Sequence, residues 1–272
     1  MSIDPSAVIH RTAEVSKGAV VGPEVQIGPF CVIGSEVTLG RGVVVKSHAV
    51  ISGWTGVGAE TIIFPFACVG EIPQDLKFRG ERTRLVIGER NRIREGATLN
   101  CGTELGGGVT TVGDDCLFMT GSHVGHDCRV GNGVVMANHA SLGGHCEISD
   151  NVIIGGLSGV HQFVRIGKGA IIGAVTMVRR DVIPYGLVQG PAGELEGLNL
   201  VGLRRRNADG SEIRKLRSAF DHLSGGGKPF SDLVIELQGS GGLVGDIVEF
   251  VNGQTDRSYL VPRKRSGAED VS

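Results

Sequence analysis

Aromatic residues are scarce in this chain: nine Phe, two Tyr and one Trp among 272 residues, 4% in all. A layered globular core leans on such side chains for bulk, so the core here is expected to pack from small and aliphatic residues instead. Charge of either sign is not in excess. The formal net charge of −2 supplies no global field to attract nucleic acid or an anionic membrane. No apolar run reaches the length of a membrane span, and the opening Met1-Ser-Ile-Asp-Pro5 is not a charged-then-apolar leader. No stable membrane insertion is therefore expected. The six cysteines form no CxxC pair and read as free thiols in a reducing cytoplasm.

Glycine, by contrast, is abundant, at 45 residues. Its placement follows a period. Counting from Ile3 in steps of six gives Ile9, Val15, Val21, Ile27, Ile33, Leu39, Val45, Ile51, Val57, Ile63 and Val69, aliphatic at every step. The series resumes at Ile87, Ile93 and Leu99, and again from Val112 through Phe118, Val124, Val130, Met136, Leu142 and onward to Val178. Glycine often follows the aliphatic residue (Gly22, Gly28, Gly40, Gly58), and a small residue recurs four places after it (Ala19, Cys31, Ala49, Cys128, Cys146). A short fixed period held over most of a chain means a solenoid. Each unit reads as a short strand and a turn: the aliphatic residue points inward, the small one fits a tight corner, and glycine relieves the bend. Parallel strands about 4.8 Å apart, in nine coils of three units, make a prism roughly 40 Å long.

Residues 71–86 and 104–111 interrupt the period and read as external loops, the usual place for function on a solenoid. After Val178 the repeat ends near Asp181-Val-Ile-Pro184-Tyr185. Helical spacing then appears in Ser211–Leu223 (Ile213, Leu216, Phe220, Leu223) and, more briefly, in Pro229–Gln238 and Leu243–Val251. The chain thus divides into a mainly β solenoid over 1–190 and a C-terminal α-helical domain over 191–272, with a frayed tail from Thr255.

On such a coil, residues eighteen apart lie on one face of neighbouring turns. His126 falls under Gly144 and Gln162, Asp127 under His145 and Phe163, and Gly125 under Gly143 and His161, with His123 on the same coil as His126. A neutral imidazole at His126 can take a proton from an attacking hydroxyl, Asp127 can fix its tautomer, and the bare Gly144 N–H can face an oxyanion. Cys128, Cys146 and Ser122 sit at the buried corner position, so no side-chain nucleophile is expected. The chemistry suggested is direct attack by a substrate group under general-base catalysis. Two other readings stay open at this point: a metal-dependent hydratase using histidines from adjacent subunits, with His139 and His145 near the required spacing, and a non-catalytic scaffold.

Several runs carry a resemblance: Ile27-Gly-Pro-Phe-Cys31, Gly70-Glu-Ile-Pro-Gln-Asp-Leu-Lys77, Ile87-Gly-Glu-Arg-Asn-Arg-Ile-Arg-Glu95, His123-Val-Gly-His-Asp-Cys128 and Val160-His-Gln-Phe163. From residue 1 to about Arg206 the chain resembles the UDP-N-acetylglucosamine O-acyltransferase family. The resemblance implies a left-handed parallel β-helix and a homotrimer with active sites between neighbouring prisms. It also implies transfer of an (R)-3-hydroxyacyl chain from acyl carrier protein to the 3-position of UDP-N-acetylglucosamine, the first step of lipid A biosynthesis, with no cofactor and no metal. By the same resemblance His126 is the general base, Asp127 its partner and Gly144 the oxyanion donor. His123, His145, His161, Gln162 and Lys77 match substrate-binding positions, and Asp75 a loop residue near the acyl chain. Ala174 matches the position that limits chain length, and Asn199, Arg205 and Arg206 the nucleotide-contacting segment. The run Asn100-Cys-Gly-Thr103 replaces the family's more usual His-Arg-Gly-Thr, and Val201 stands where an acidic residue is common. A 3-amino sugar nucleotide is therefore kept as an alternative acceptor. Lys77, Arg79, Arg82, Arg84, Arg90, Arg92 and Arg94 form a basic band that would suit acidic acyl carrier protein, unless Glu81, Glu89 and Glu95 pair with them.

Overall fold

The computed structural model describes residues 2–225, 227–253, 255 and 257–262. Twenty-seven short strands, from Ser2–Ile3 to Met177–Val178, follow one another so that every third returns to the same wall of a three-walled prism. The register is parallel and mostly eighteen residues: Val20 pairs with Thr38, and Val135 with Ile153. Across the two interruptions it stretches, Ile62 pairing with Arg92 and Thr98 with His123, as the extra residues leave the coil without breaking the ladder. The first and third walls each hold nine strands. The second holds eleven, because the hairpin Gly186–Gln189 and Glu194–Leu198 adds two.

The aliphatic column is the core. Ile33, Ile51, Ile63, Ile93, Leu99, Phe118, Leu142 and Ile154 are wholly inaccessible, as are the small corner residues Ala49, Ala67, Ala97, Cys128 and Cys146. Each buried aliphatic side chain contributes about 1.5–3 kcal/mol, so the repeat is itself the main source of stability.

Glycine does not relieve the bend in the way the repeat suggested. A Cβ on Gly28 would fall 3.1 Å from the Ser47 nitrogen, and one on Gly58 only 2.4 Å from the Gly88 carbonyl carbon. These glycines are required by the close approach of the next coil. The left-handed backbone lies two residues later, and side chains occupy it: Phe30 (φ 58°), His48 (62°), Asp127 (59°), His145 (61°) and Phe163 (64°). That conformation costs roughly 1–2 kcal/mol at a non-glycine residue. Corner-to-corner hydrogen bonds offset it, such as His145 N–H to the His126 carbonyl at 2.9 Å.

Four helices follow: α1 (Leu200–Arg205), α2 (Gly210–Ser224), α3 (Phe230–Ile235) and α4 (Gly242–Asn252). The three helical stretches read from spacing correspond to α2, α3 and α4, whereas α1 and the hairpin before it had no periodic signal. The fully buried Asp181 latches the end of the chain to the last coil. Its carboxylate accepts from Arg165 Nε at 2.8 Å and from Thr255 Oγ1 at 2.8 Å. Its backbone pairs with Ser258 and Leu260. Among the described residues no helix is long and apolar enough to cross a membrane.

Candidate active site

The residues singled out by eighteen-residue spacing do converge. On the third wall His123, Ser141, Gly159 and Met177 are successive ladder partners. The turns that follow these strands stack His126-Asp127, Gly144-His145 and Gln162-Phe163 at one corner, where the third wall passes into the first.

Asp127 is buried, its carboxylate wholly inaccessible. Oδ2 accepts from His126 Nδ1 at 2.7 Å and from Thr103 Oγ1 at 2.7 Å, while Oδ1 accepts from the Thr103 N–H at 2.8 Å. A carboxylate of this kind only accepts, so the His126 proton sits on Nδ1 and the lone pair on Nε2. That ring lies directly over Gly144. A Cβ there would come within 2.5 Å of His126 Cε1 and 2.6 Å of Nε2. The Gly144 N–H donates to no protein group among the described residues, although the neighbouring Gly143 N–H bonds the Val160 carbonyl at 2.9 Å. A basic nitrogen and an uncommitted backbone donor thus share one small space.

The second interruption builds this arrangement. Thr103 caps the short 3-10 turn Glu104–Gly106, and that turn closes over the Asp127 carboxylate. A Cβ on Gly106 would lie 2.1 Å from its carboxyl carbon, so only glycine fits. Thr110 completes the support by accepting the Asp127 N–H at 2.8 Å. Thr103 and Thr110 were not assigned roles from the sequence. The only hint was the glycine-rich run that sets them beside a carboxylate distant in the chain.

His145 stacks on Phe163 with ring centres 4.3 Å apart and meets His126 edge-on at 5.1 Å. Its Nε2 is 3.7 Å from Asp127 Oδ2, too far for a hydrogen bond. Burial holds the His145 imidazole below its ordinary pKa, against the opposing pull of Asp127. Burial does the same at His123, whose Nδ1 meets Thr98 Oγ1 at 2.7 Å, and the nearby His126 adds to it. Burial pushes the Cys128 thiol well above its ordinary value, which suits a core residue and not a nucleophile.

A groove of about 480 Å³ opens beside these groups, with His123, His126, Gly144, His161 and Gln162 among its walls. Gln74 and Asn100 line its polar end, and Gly159 and Met177 its apolar end. Four lining residues had not been singled out from the sequence: Gln74, Ser141, Gly159 and Met177. The first external loop leaves the coil at this corner, its backbone held by Asn100 Nδ2 bonding the Ile72 carbonyl at 3.1 Å. It carries Asp75, which tugs electrostatically on His145, and the exposed Lys77.

Other expected residues stand apart. Ala174 is exposed at the corner between the second and third walls, outside the groove lining. Asn199 is buried, with Oδ1 capping α1 through the Gly202 N–H at 2.9 Å and Nδ2 bonding the Gly169 carbonyl at 2.9 Å. Arg206 lies beside Gly169 and Tyr185, so this segment occupies the first-to-second corner. The basic band is partly neutralised within the chain. Arg90 pairs with Glu89 and Asp115, Arg94 with Glu95, and Arg82 stacks on Trp54. Finally, His139 packs against Gly121 at the second-to-third corner, away from His145. Within one chain the coil keeps those two rings apart. His126, Asp127 and His145 do place one ligand atom each within 4.8 Å. The Asp127 oxygens, however, are already taken by Thr103 and His126.

Comparison with known proteins decides the family. A family model for UDP N-acetylglucosamine O-acyltransferase domain 2 matches residues 181–260, and one for bacterial transferase hexapeptide repeats matches 18–53 and 109–144. An acyl-[acyl-carrier-protein]--UDP-N-acetylglucosamine O-acyltransferase of Agrobacterium fabrum is 39% identical over 97% of this chain and 98% of its own. The chain belongs to the UDP-N-acetylglucosamine O-acyltransferase family. A member from Paracoccus denitrificans is 61% identical over 74% of this chain and 77% of its own. The solved UDP-N-acetylglucosamine acyltransferase of Campylobacter jejuni superposes with a TM-score of 0.89 at 35% identity, covering 94% of this chain and 100% of that one. That of Francisella novicida gives 0.85 at 33% identity, covering 99% and 100%. The prism is accordingly a left-handed parallel β-helix, as its resemblance to the family implied.

Proposed function

We propose that this chain moves an (R)-3-hydroxyacyl group from acyl carrier protein to the 3-hydroxyl of UDP-N-acetylglucosamine, opening lipid A biosynthesis, with His126 as general base. One observation carries the mechanism: His126 Nδ1 is tied to the buried Asp127 while Nε2 lies over a glycine whose N–H is uncommitted. The sugar hydroxyl gives its proton to Nε2 as its oxygen attacks the thioester carbonyl. Asp127 steadies the imidazolium, and the Gly144 N–H donates to the oxyanion. Collapse of the tetrahedral intermediate breaks the C–S bond, and the departing pantetheine sulfur takes the proton back from His126. Burial disfavours the charged form of both His123, in the groove wall, and His145, stacked on Phe163 beside Asp127.

The nucleotide segment and His126 occupy different corners of one prism. A trimer resolves this, since a neighbouring copy would bring a second corner to the groove. An amine acceptor is the second reading, favoured by Asn100 Oδ1, a buried acceptor at the groove with no donor among the described residues. A 3-amino group has one N–H for His126 and another for Asn100.

The test is purified protein with UDP-N-acetylglucosamine or its 3-amino analogue and a ladder of hydroxyacyl carrier proteins, with products read by mass. A 3-O-acyl product is expected, and His126→Ala should lower turnover by about 10²–10⁴ with the fold intact. Wild-type turnover in that variant removes His126 from the mechanism.

A further inference from the structure

One further cavity has a wall residue, Arg257, that also bonds two residues of the catalytic groove. It measures about 730 Å³ and lies between the last coil, the hairpin and the returning C-terminal segment, with Arg179, Arg180, Glu194 and Arg257 in its walls. Arg179 and Arg180 sit one rung beyond His161 and Gln162, since Val160 pairs with Val178. They prolong the column of turns that carries His126 and Gly144. Neither has an ion-pair or hydrogen-bond partner among the described residues, whereas Arg165 nearby is matched to Asp181. Arg257 joins the two spaces. Its Nη2 bonds the Gln162 carbonyl at 2.9 Å and His161 Nδ1 at 3.2 Å. The segment bearing Arg257 is itself pinned: its N–H bonds Thr255 Oγ1 at 3.0 Å, and Thr255 in turn bonds Asp181 at 2.8 Å.

We propose that Arg179, Arg180 and Arg257 form a phosphate-binding subsite at the end of the catalytic groove. Three guanidinium forks against one carboxylate leave the cavity cationic, and planar forks suit the paired oxygens of a phosphate ester. The identity of the ligand rests on the acyltransferase reading, under which both substrates carry phosphate. The donor has the phosphodiester of its pantetheine arm, and the acceptor has a nucleoside diphosphate. The shared chemistry is the phosphate.

Titration calorimetry with small probes separates the sources. UDP is compared with uridine, and 4′-phosphopantetheine with pantetheine, on wild-type protein and on Arg179→Gln/Arg180→Gln. Both arginines are exposed, so the substitutions should not disturb folding, which thermal melting checks. Wild type is expected to bind one phosphorylated probe at least tenfold more tightly than its unphosphorylated partner. That ratio should fall below threefold in the double variant and recover in part with Lys at both positions. Whichever pair changes names the substrate. Ratios unchanged in both pairs overturn the subsite. Acyl transfer by the wild-type protein is assayed separately, so its absence would sink the catalytic reading without touching the binding result.

Discussion

Gly144→Ala perturbs the site by a length that can be worked out. The new Cβ would meet His126 Cε1 at 2.5 Å and Nε2 at 2.6 Å, and its three nearest neighbours all belong to that imidazole. Gly144 is not among the left-handed positions, so alanine adds no backbone strain. Ordinary contact begins near 3.4 Å, so the imidazole must retreat by roughly 0.9 Å. The retreat pulls against the 2.7 Å bond to Asp127 and moves Nε2 out of line with the groove. A displacement of about 1 Å in a reacting group costs on the order of 10²-fold in rate. The expected outcome is a hundredfold loss of kcat with near-normal KM and an unchanged circular dichroism spectrum. His126→Ala combined with Gly144→Ala should be no slower than His126→Ala alone, because the glycine acts through the imidazole. Turnover within threefold of wild type would refute the claim that this space is reserved for the base. Alanine keeps the Gly144 N–H, so further loss in the double variant would show that the added Cβ acts on something other than the imidazole.

Thr103→Val removes one of the donors to the buried Asp127 and should lower unfolding free energy by about 1.5–3 kcal/mol, as measured by urea denaturation, with Thr103→Ser restoring most of it. An unchanged midpoint would mean the hydroxyl is dispensable. The depressed imidazoles of His123 and His145 are neutral in the folded state at pH values where the unfolded chain already protonates them. Stability is therefore full above their ordinary value of 6.5 and is lost as pH falls through it toward the folded midpoints. NMR titration should place both midpoints below 6.5, and midpoints at or above it would contradict the burial argument. For acyl length, Met177→Ala should favour longer donors, because the thioether now lies over Gly159, its methyl 2.9 Å from where a Cβ would be. Ala174→Met should favour shorter ones. A product profile indifferent to Met177 would place the groove's apolar end elsewhere.

Much of this protein was legible before any coordinates. A strict six-residue alternation of aliphatic and small residues has one compact solution, and eighteen-residue arithmetic then brings His126 beneath Gly144 and Asp127 beneath His145. Local periodicity is short-range information, and the solenoid converts it directly into three-dimensional adjacency. Where the period failed, reading failed with it. Nothing in Gly102-Thr103-Glu-Leu-Gly106 announces that this turn folds back to bury Asp127, because that contact joins residues twenty-four apart through a break in the register. The same holds for Arg257, brought to His161 across nearly a hundred residues by the Asp181 latch. Glycine was misread for a related reason: its constraint comes from the coil above, not from its own turn. Repetition decided the scaffold and the position of the base, whereas long-range packing alone decided which groups would hold that base in place.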